Sequence, residues 1–122
     1  MDLHRVELER ELRTNVIRLR RHFLAAGADA NQQRALMSES LSSFATLFRH
    51  TLIALGQPAP ETKREIFSAI GAHLNFNSAP FVSILEARED HRKAAALDVA
   101  ATFRGFLEGV TRVADEVDRR LA

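Results

Sequence analysis

Apolar residues recur three or four positions apart along almost the whole of this 122-residue sequence, the spacing of helices that each bury one face. No run alternates apolar with polar residues at period two, β-branched residues do not cluster, and neither Tyr nor Trp is present. The signals of a strand are missing, and the expected class is all-α.

The pattern divides the chain into about five helices. In the first, over residues 2–26, Leu8, Leu12, Val16, Leu19 and Phe23 make a single stripe, and Gly27 closes the helix by accepting a left-handed conformation. The second, over residues 29–55, carries Leu36, Met37, Leu41, Phe44, Leu47, Phe48, Leu52 and Leu55, a stripe wide enough to face more than one neighbour. Pro58 and Pro60 stop it, since neither can donate a backbone hydrogen bond. Thr62 and Glu65 have capping-box spacing ahead of a short third helix with Ile66, Phe67, Ile70 and Leu74 inside.

After the polar turn Asn75-Phe76-Asn77-Ser78, Ser78 is placed to cap a short fourth helix over residues 79–89, with Phe81, Ile84 and Leu85 inward. The charged run from Arg88 to Lys93 reads as an exposed connection. The last helix, over residues 94–121, repeats Leu97, Ala100, Leu107, Val110, Ala114, Val117 and Leu121, widened by Phe103 and Phe106. Three long helices and two short ones make an up-and-down bundle, one domain over residues 1–122.

A composition 46% hydrophobic and 27% charged belongs to a folding chain rather than a disordered one. Seventeen Lys and Arg against sixteen Asp and Glu leave a net charge of +1, so any polyanion site must be local. The absence of cysteine excludes disulfides and thiolate chemistry and suits a reducing compartment. The charged start from Met1 to Arg5 is unlike a signal peptide, and no stretch approaches the roughly 20 apolar residues of a membrane span. A cytoplasmic protein without membrane contact is the expectation.

Catalytic and metal motifs fail one by one. The histidines, His4, His22, His50, His73 and His91, include no pair at i, i+4, so neither metal nor cofactor is expected. No Gly-x-Ser-x-Gly elbow surrounds Ser38, Ser40, Ser42 or Ser43, and Ser42 with Ser43 is better suited to letting a neighbouring helix approach. Glu7 with Glu11, and Asp115 with Asp118, have arginines nearby and read as solvated helix faces.

Two features remain. Arg13, Arg18 and Arg20 on the first helix, with Arg49 and His50 near the end of the second, form a candidate rim for phosphate if the helices run antiparallel; a solubilising, ion-paired face is the alternative. Ala101, Gly105 and Gly109 form a row of small residues at i, i+4 and i+8. Glycine inside a helix costs about 1 kcal/mol against alanine, so the row points to a close contact, with a helix of this domain, or with a partner chain or a ligand.

The stretch from Leu8 to Leu24, LERELRTNVIRLRRHFL, and that from Ser40 to Arg49, SLSSFATLFR, resemble the helical C-terminal region of bacterial nucleotidyltransferase-like proteins. The similarity continues weakly through residues 60–65 and the last helix. It implies a bundle of the substrate-binding or HEPN type, which accompanies a nucleotidyl-transferring domain and contacts its acceptor substrate or forms a dimer. The Gly-Ser and Asp-x-Asp pattern of the catalytic domain is absent, which implies an excised domain or a separate subunit. The arginine and histidine spacing of ribonuclease HEPN domains is also absent: Arg18 to His22 and Arg88 to His91 are both too close. The expectation is a non-enzymatic accessory module partnered by a nucleotidyltransferase-like domain or subunit. The alternatives are a module binding RNA or another phosphate ligand through Arg13, Arg20 and Arg49, and a homodimeric scaffold without ligand.

Overall fold

In the computed structural model, which describes residues 5–27 and 29–121, the apolar stripes have condensed into helices, with no strand among those residues. α1 spans Arg5–Ala26, α2 Ala30–Ala54, α3 Lys63–Leu74, α4 Ala79–Glu89, α5 His91–Ala96 and α6 Val99–Leu121. The chain is an all-α helical bundle. The beginning of the first helix expected at residue 2, and the side chain of Leu121, lie outside the described residues.

Local chemistry accounts for the boundaries. Gly27 turns the chain at φ 60°, and the Asp29 carboxylate accepts the amides of Asn31 and Gln32 at 3.0 and 3.2 Å to open α2. Gln33 completes the turn by donating from its side chain to the Gly27 carbonyl at 2.8 Å. The expected box at α3 is present in a modified form. Thr62 Oγ1 accepts the Glu65 amide at 3.2 Å and donates to the Glu65 carboxylate at 2.7 Å. Ser78 makes no side-chain cap; its neighbour Asn77 accepts the Ala79 amide instead, at 3.0 Å, because the chain at Ser78 has already turned helical.

The last expected helix is two helices. Asp90 ends α4 by donating its amide to the Glu86 carbonyl, and it opens α5 by accepting the Arg92 amide at 2.8 Å. The charged run from Arg88 to Lys93 is therefore mostly helical. Leu97, extended at φ −71° and ψ 127°, breaks the chain, and Asp98 restarts it by accepting the Ala101 amide at 3.1 Å. The new start also changes which residues face inward. Val99 and Val113 are buried, while Ala100 is exposed.

α1, α2 and α6 pack on one another, α3 and α4 lie against α2 and α6, and α5 rests on α4 alone. The short link at residues 27–29 turns α2 back along α1. Contacts from Arg13 to Asp118 and from Arg20 to Thr111 step seven residues up α1 and seven down α6, so these two helices also run antiparallel. Between them lie Leu8, Leu12, Val16, Leu19, Met37, Leu41, Phe44, Phe103, Phe106 and Val110, all buried. Each is worth about 1.5 to 3 kcal/mol where fully buried.

Around Phe81 the core becomes aromatic. Its ring centroid lies 4.5 Å from that of Phe106, 4.9 Å from Phe67, 5.6 Å from Phe48 and 6.2 Å from Phe76. That approach depends on the small residues of α6. A Cβ on Gly109 would stand 2.6 Å from Phe81 Cε2, and one on Gly105 would stand 2.5 Å from Pro80 Cγ. Gly109→Ala gains about 1 kcal/mol of helix propensity but overpacks a filled site, which costs about 1 to 3 kcal/mol. The expected net effect is a lower urea midpoint; an unchanged or higher midpoint would show that α4 is not seated on α6 in this way.

Candidate interaction sites

The arginine rim is not one site. Arg13 turns to α6, its guanidinium 3.0 Å from the Asp118 carboxylate and 3.6 Å from Glu9. Arg20 also turns to α6 and donates to Thr111 Oγ1 at 3.1 Å. Arg49 donates instead to the Pro60 carbonyl at 3.2 Å, on the connection between α2 and α3. Arg18 stays exposed, and His50 is half-buried with Nδ1 enclosed and unbonded among the described residues. Expecting these groups to converge assumed that all would point along the α1–α2 boundary, whereas α6 supplies stronger partners for Arg13 and Arg20.

The row of small residues is likewise divided. Gly105 and Gly109 are filled from within the molecule by Pro80, Phe81 and Phe76, while Ala101 is exposed. Ser42 and Ser43 are exposed too, so no helix approaches across them. Ser42 Oγ accepts from Lys63 Nζ at 3.0 Å.

Two groups not anticipated from the sequence emerge. Glu116 is 2% exposed and accepts from Arg120 Nε at 2.7 Å, with Arg119 also bonded to it and Arg112 at 3.9 Å. Arg112 Nε donates as well to the Leu74 carbonyl at 3.2 Å, joining the end of α3 to α6. This cluster is built from one helix turn and its neighbours and serves the packing of α6.

The other group is a cleft of about 320 Å³ between α2, α4 and α5, lined by Asn31, Arg34, Ser38, Arg88 and His91 over a floor that includes Ile84. Residues 31, 34, 35 and 38 share one face of α2. The break at Asp90 lets Arg88 of α4 and His91 of α5 reach the same space. A second cleft of about 450 Å³ shares Arg88 and adds Thr62, Lys63, Arg64 and Glu89. The sequence signals the first cleft through the pair Arg88 and His91, whose spacing does not fit a ribonuclease.

Exposed apolar residues mark a different face. Val6, Ile17 and Leu24 of α1 are 61%, 55% and 80% exposed. Their separations correspond to about three and two helical turns, so they form one outer stripe. Arg10 and Arg13 interrupt it, and Arg21 and Glu7 border it on one side, both exposed and making no ion pair among the described residues. The acids of α1 all lie in its first half, which also carries Arg10 and Arg13, and the charged residues of its second half are bases alone, Arg18, Arg20 and Arg21.

No known family, curated protein or solved structure matches this chain. No helix of the described residues is long and apolar enough to cross a membrane.

Between the two clefts, Glu86 accepts from Lys93 at 3.0 Å and from Arg64 at 3.3 Å. The bond from Lys93, then that from Arg64, holds its carboxyl below the usual glutamate range. A carboxyl whose pKa is depressed on folding contributes stability above its unfolded value and loses it as pH falls through the folded value. In urea melts, the stability gap between the protein and Glu86→Gln is therefore expected at neutral pH and to close as the pH drops through and below the glutamate range. A gap constant down to strong acid would contradict these pairings.

Proposed function

We propose that this chain is a non-catalytic helical accessory module whose role is subunit association through the outer face of α1. The observation that carries this reading is the stripe of Val6, Ile17 and Leu24, apolar and exposed on a helix whose opposite face already fills the core. An amphipathic helix needs only one apolar face to fold, so a second one that stays in water suits a partner.

A second copy of the chain meets the chemistry of this face. When two α1 helices pair antiparallel about a two-fold axis near residues 14 and 15, Val6 stands opposite Leu24 of the other copy and Glu7 opposite Arg21. The antiparallel orientation thus gives Glu7 an opposite charge, whereas a parallel pair would set Glu7 against Glu7. Three exposed apolar side chains make a small apolar contact, so a weak, reversible association is expected. The resemblance to nucleotidyltransferase-like proteins supports placing such a module beside a nucleotidyl-transferring domain or subunit.

Sedimentation at increasing concentration tests the pairing. Leu24→Glu is expected to leave a folded monomer. Glu7→Arg weakens association, and adding Arg21→Glu to it restores association because the swapped charges pair again. A protein monomeric up to hundreds of micromolar, or a double variant no better than the single one, would rule out self-association through α1.

A further inference from the structure

The cleft between α2, α4 and α5 has donors and no acceptor charge. Among the described residues lining it are two guanidinium groups, Arg34 and Arg88, the imidazole of His91, the Ser38 hydroxyl and the Asn31 amide, and no carboxylate. Among the described residues, six cations elsewhere have a carboxylate partner: Arg13 has Asp118, Arg64 and Lys93 share Glu86, and Arg112, Arg119 and Arg120 surround Glu116. Arg34 donates only to the neutral Asn31 side chain, at 3.0 Å, and Arg88 makes no ion pair among the described residues. Two arginines left without a carboxylate beside the same concavity repel each other across it, and an anion between them would relieve that repulsion.

The lower part of the cleft is apolar. Ile84 is 1% exposed, and Ala35, Ala87 and Ala94 border the same space. A volume of about 320 Å³ lies at the small end of ligand pockets, which suits a nucleotide-sized molecule or part of one. A free inorganic anion would satisfy the donors and leave the alanine surface of Ala35, Ala87 and Ala94 in water. An organic phosphate would use both, its phosphate forked by the guanidinium groups and its body laid on the alanines.

We infer that this cleft binds an organic phosphate of about nucleotide size, with Arg34, Arg88 and His91 holding the phosphate. The site is separate from the face of α1, because α1 packs on α2 and α6 and touches neither α4 nor α5.

Calorimetric titration of the full chain with ADP, pyrophosphate and adenosine tests the inference. ADP is expected to bind saturably, pyrophosphate more weakly because it lacks a body, and adenosine not measurably. Losing charge-assisted hydrogen bonds worth about 1.5 to 3 kcal/mol corresponds to a weakening of roughly ten- to a hundredfold. The double variant Arg34→Ala with Arg88→Ala is therefore expected to weaken ADP by at least about tenfold. Ala35→Leu changes no charge but fills the cleft, and it is expected to weaken ADP as well. An absence of saturable ADP binding, ADP binding unchanged in the double variant, or a response to the arginines with none to Ala35→Leu would each overturn the inference, the last by showing general surface attraction.

Discussion

The seating of Phe81 against the glycine face of α6 determines where α4 lies, and much of the remaining molecule follows from it. This one ring touches Phe48 of α2, Phe67 of α3, Phe106 of α6 and Phe76 in the preceding turn. Aromatic rings carry large buried areas and favour the tilted and offset contacts found here. The glycines lower the helix propensity of α6 but allow α4 to approach more closely than any side chain would permit. Pro80 and Phe81, side by side in the first turn of α4, occupy Gly105 and Gly109 in turn, so the approach is fixed at two points. With α4 fixed, Arg88 at its far end has little choice of position. The cleft beside α2 is a consequence of the aromatic cluster more than of any local motif.

Helical periodicity made most of this fold legible, because each long stripe had to be buried and the caps at Asp29 and Thr62 have side chains whose purpose is local. The division between α5 and α6 was not legible. Ala94, Ala95 and Ala96 favour helix, and Leu97 continues the apolar spacing, so propensity and pattern agreed on a continuous helix. What decided otherwise was the capping strength of Asp98 together with the burial that Val99 gains. Ser78 illustrates a smaller version of the same limit. Two adjacent residues could each cap α4, and only the backbone conformation at Ser78, already in the helical region, selects Asn77.

The interaction sites were less legible than the fold for a reason specific to long charged side chains. Sequence spacing fixes where an arginine leaves its helix, while its guanidinium reaches some 6 or 7 Å further and takes the best acceptor within range. Arg13 and Arg20 found acceptors on α6, far along the chain at Asp118 and Thr111. Arg34 and Arg88 are also far apart in sequence, and only the shared contact of α2 with α4 sets them beside one space. A net charge of +1 conceals this arrangement altogether. The buried Glu116 absorbs three arginines at one end of α6 and Glu86 absorbs two cations beside α4, while Arg34 and Arg88 are among the cations that meet no carboxylate among the described residues.

α5 connects these arguments. It has six residues, none of them buried, and it packs on α4 alone. A helix this short is far below the length at which propensity sustains it in water, so its order comes from the Asp90 cap and from α4. His91 belongs to its first turn, and Arg34 stands across the cleft on α2, a helix that α5 does not touch. A phosphate held by both would therefore supply the one link between α2 and α5 that the protein lacks. Binding of that kind favours the folded form of α5 over its frayed form by the phosphate's differential affinity for the two, and the cost of ordering α5 is subtracted from the intrinsic affinity. The α1 face stands apart from this coupling, since α1 rests on the rigid α2–α6 pair and its outer stripe is presented whether or not α5 is ordered.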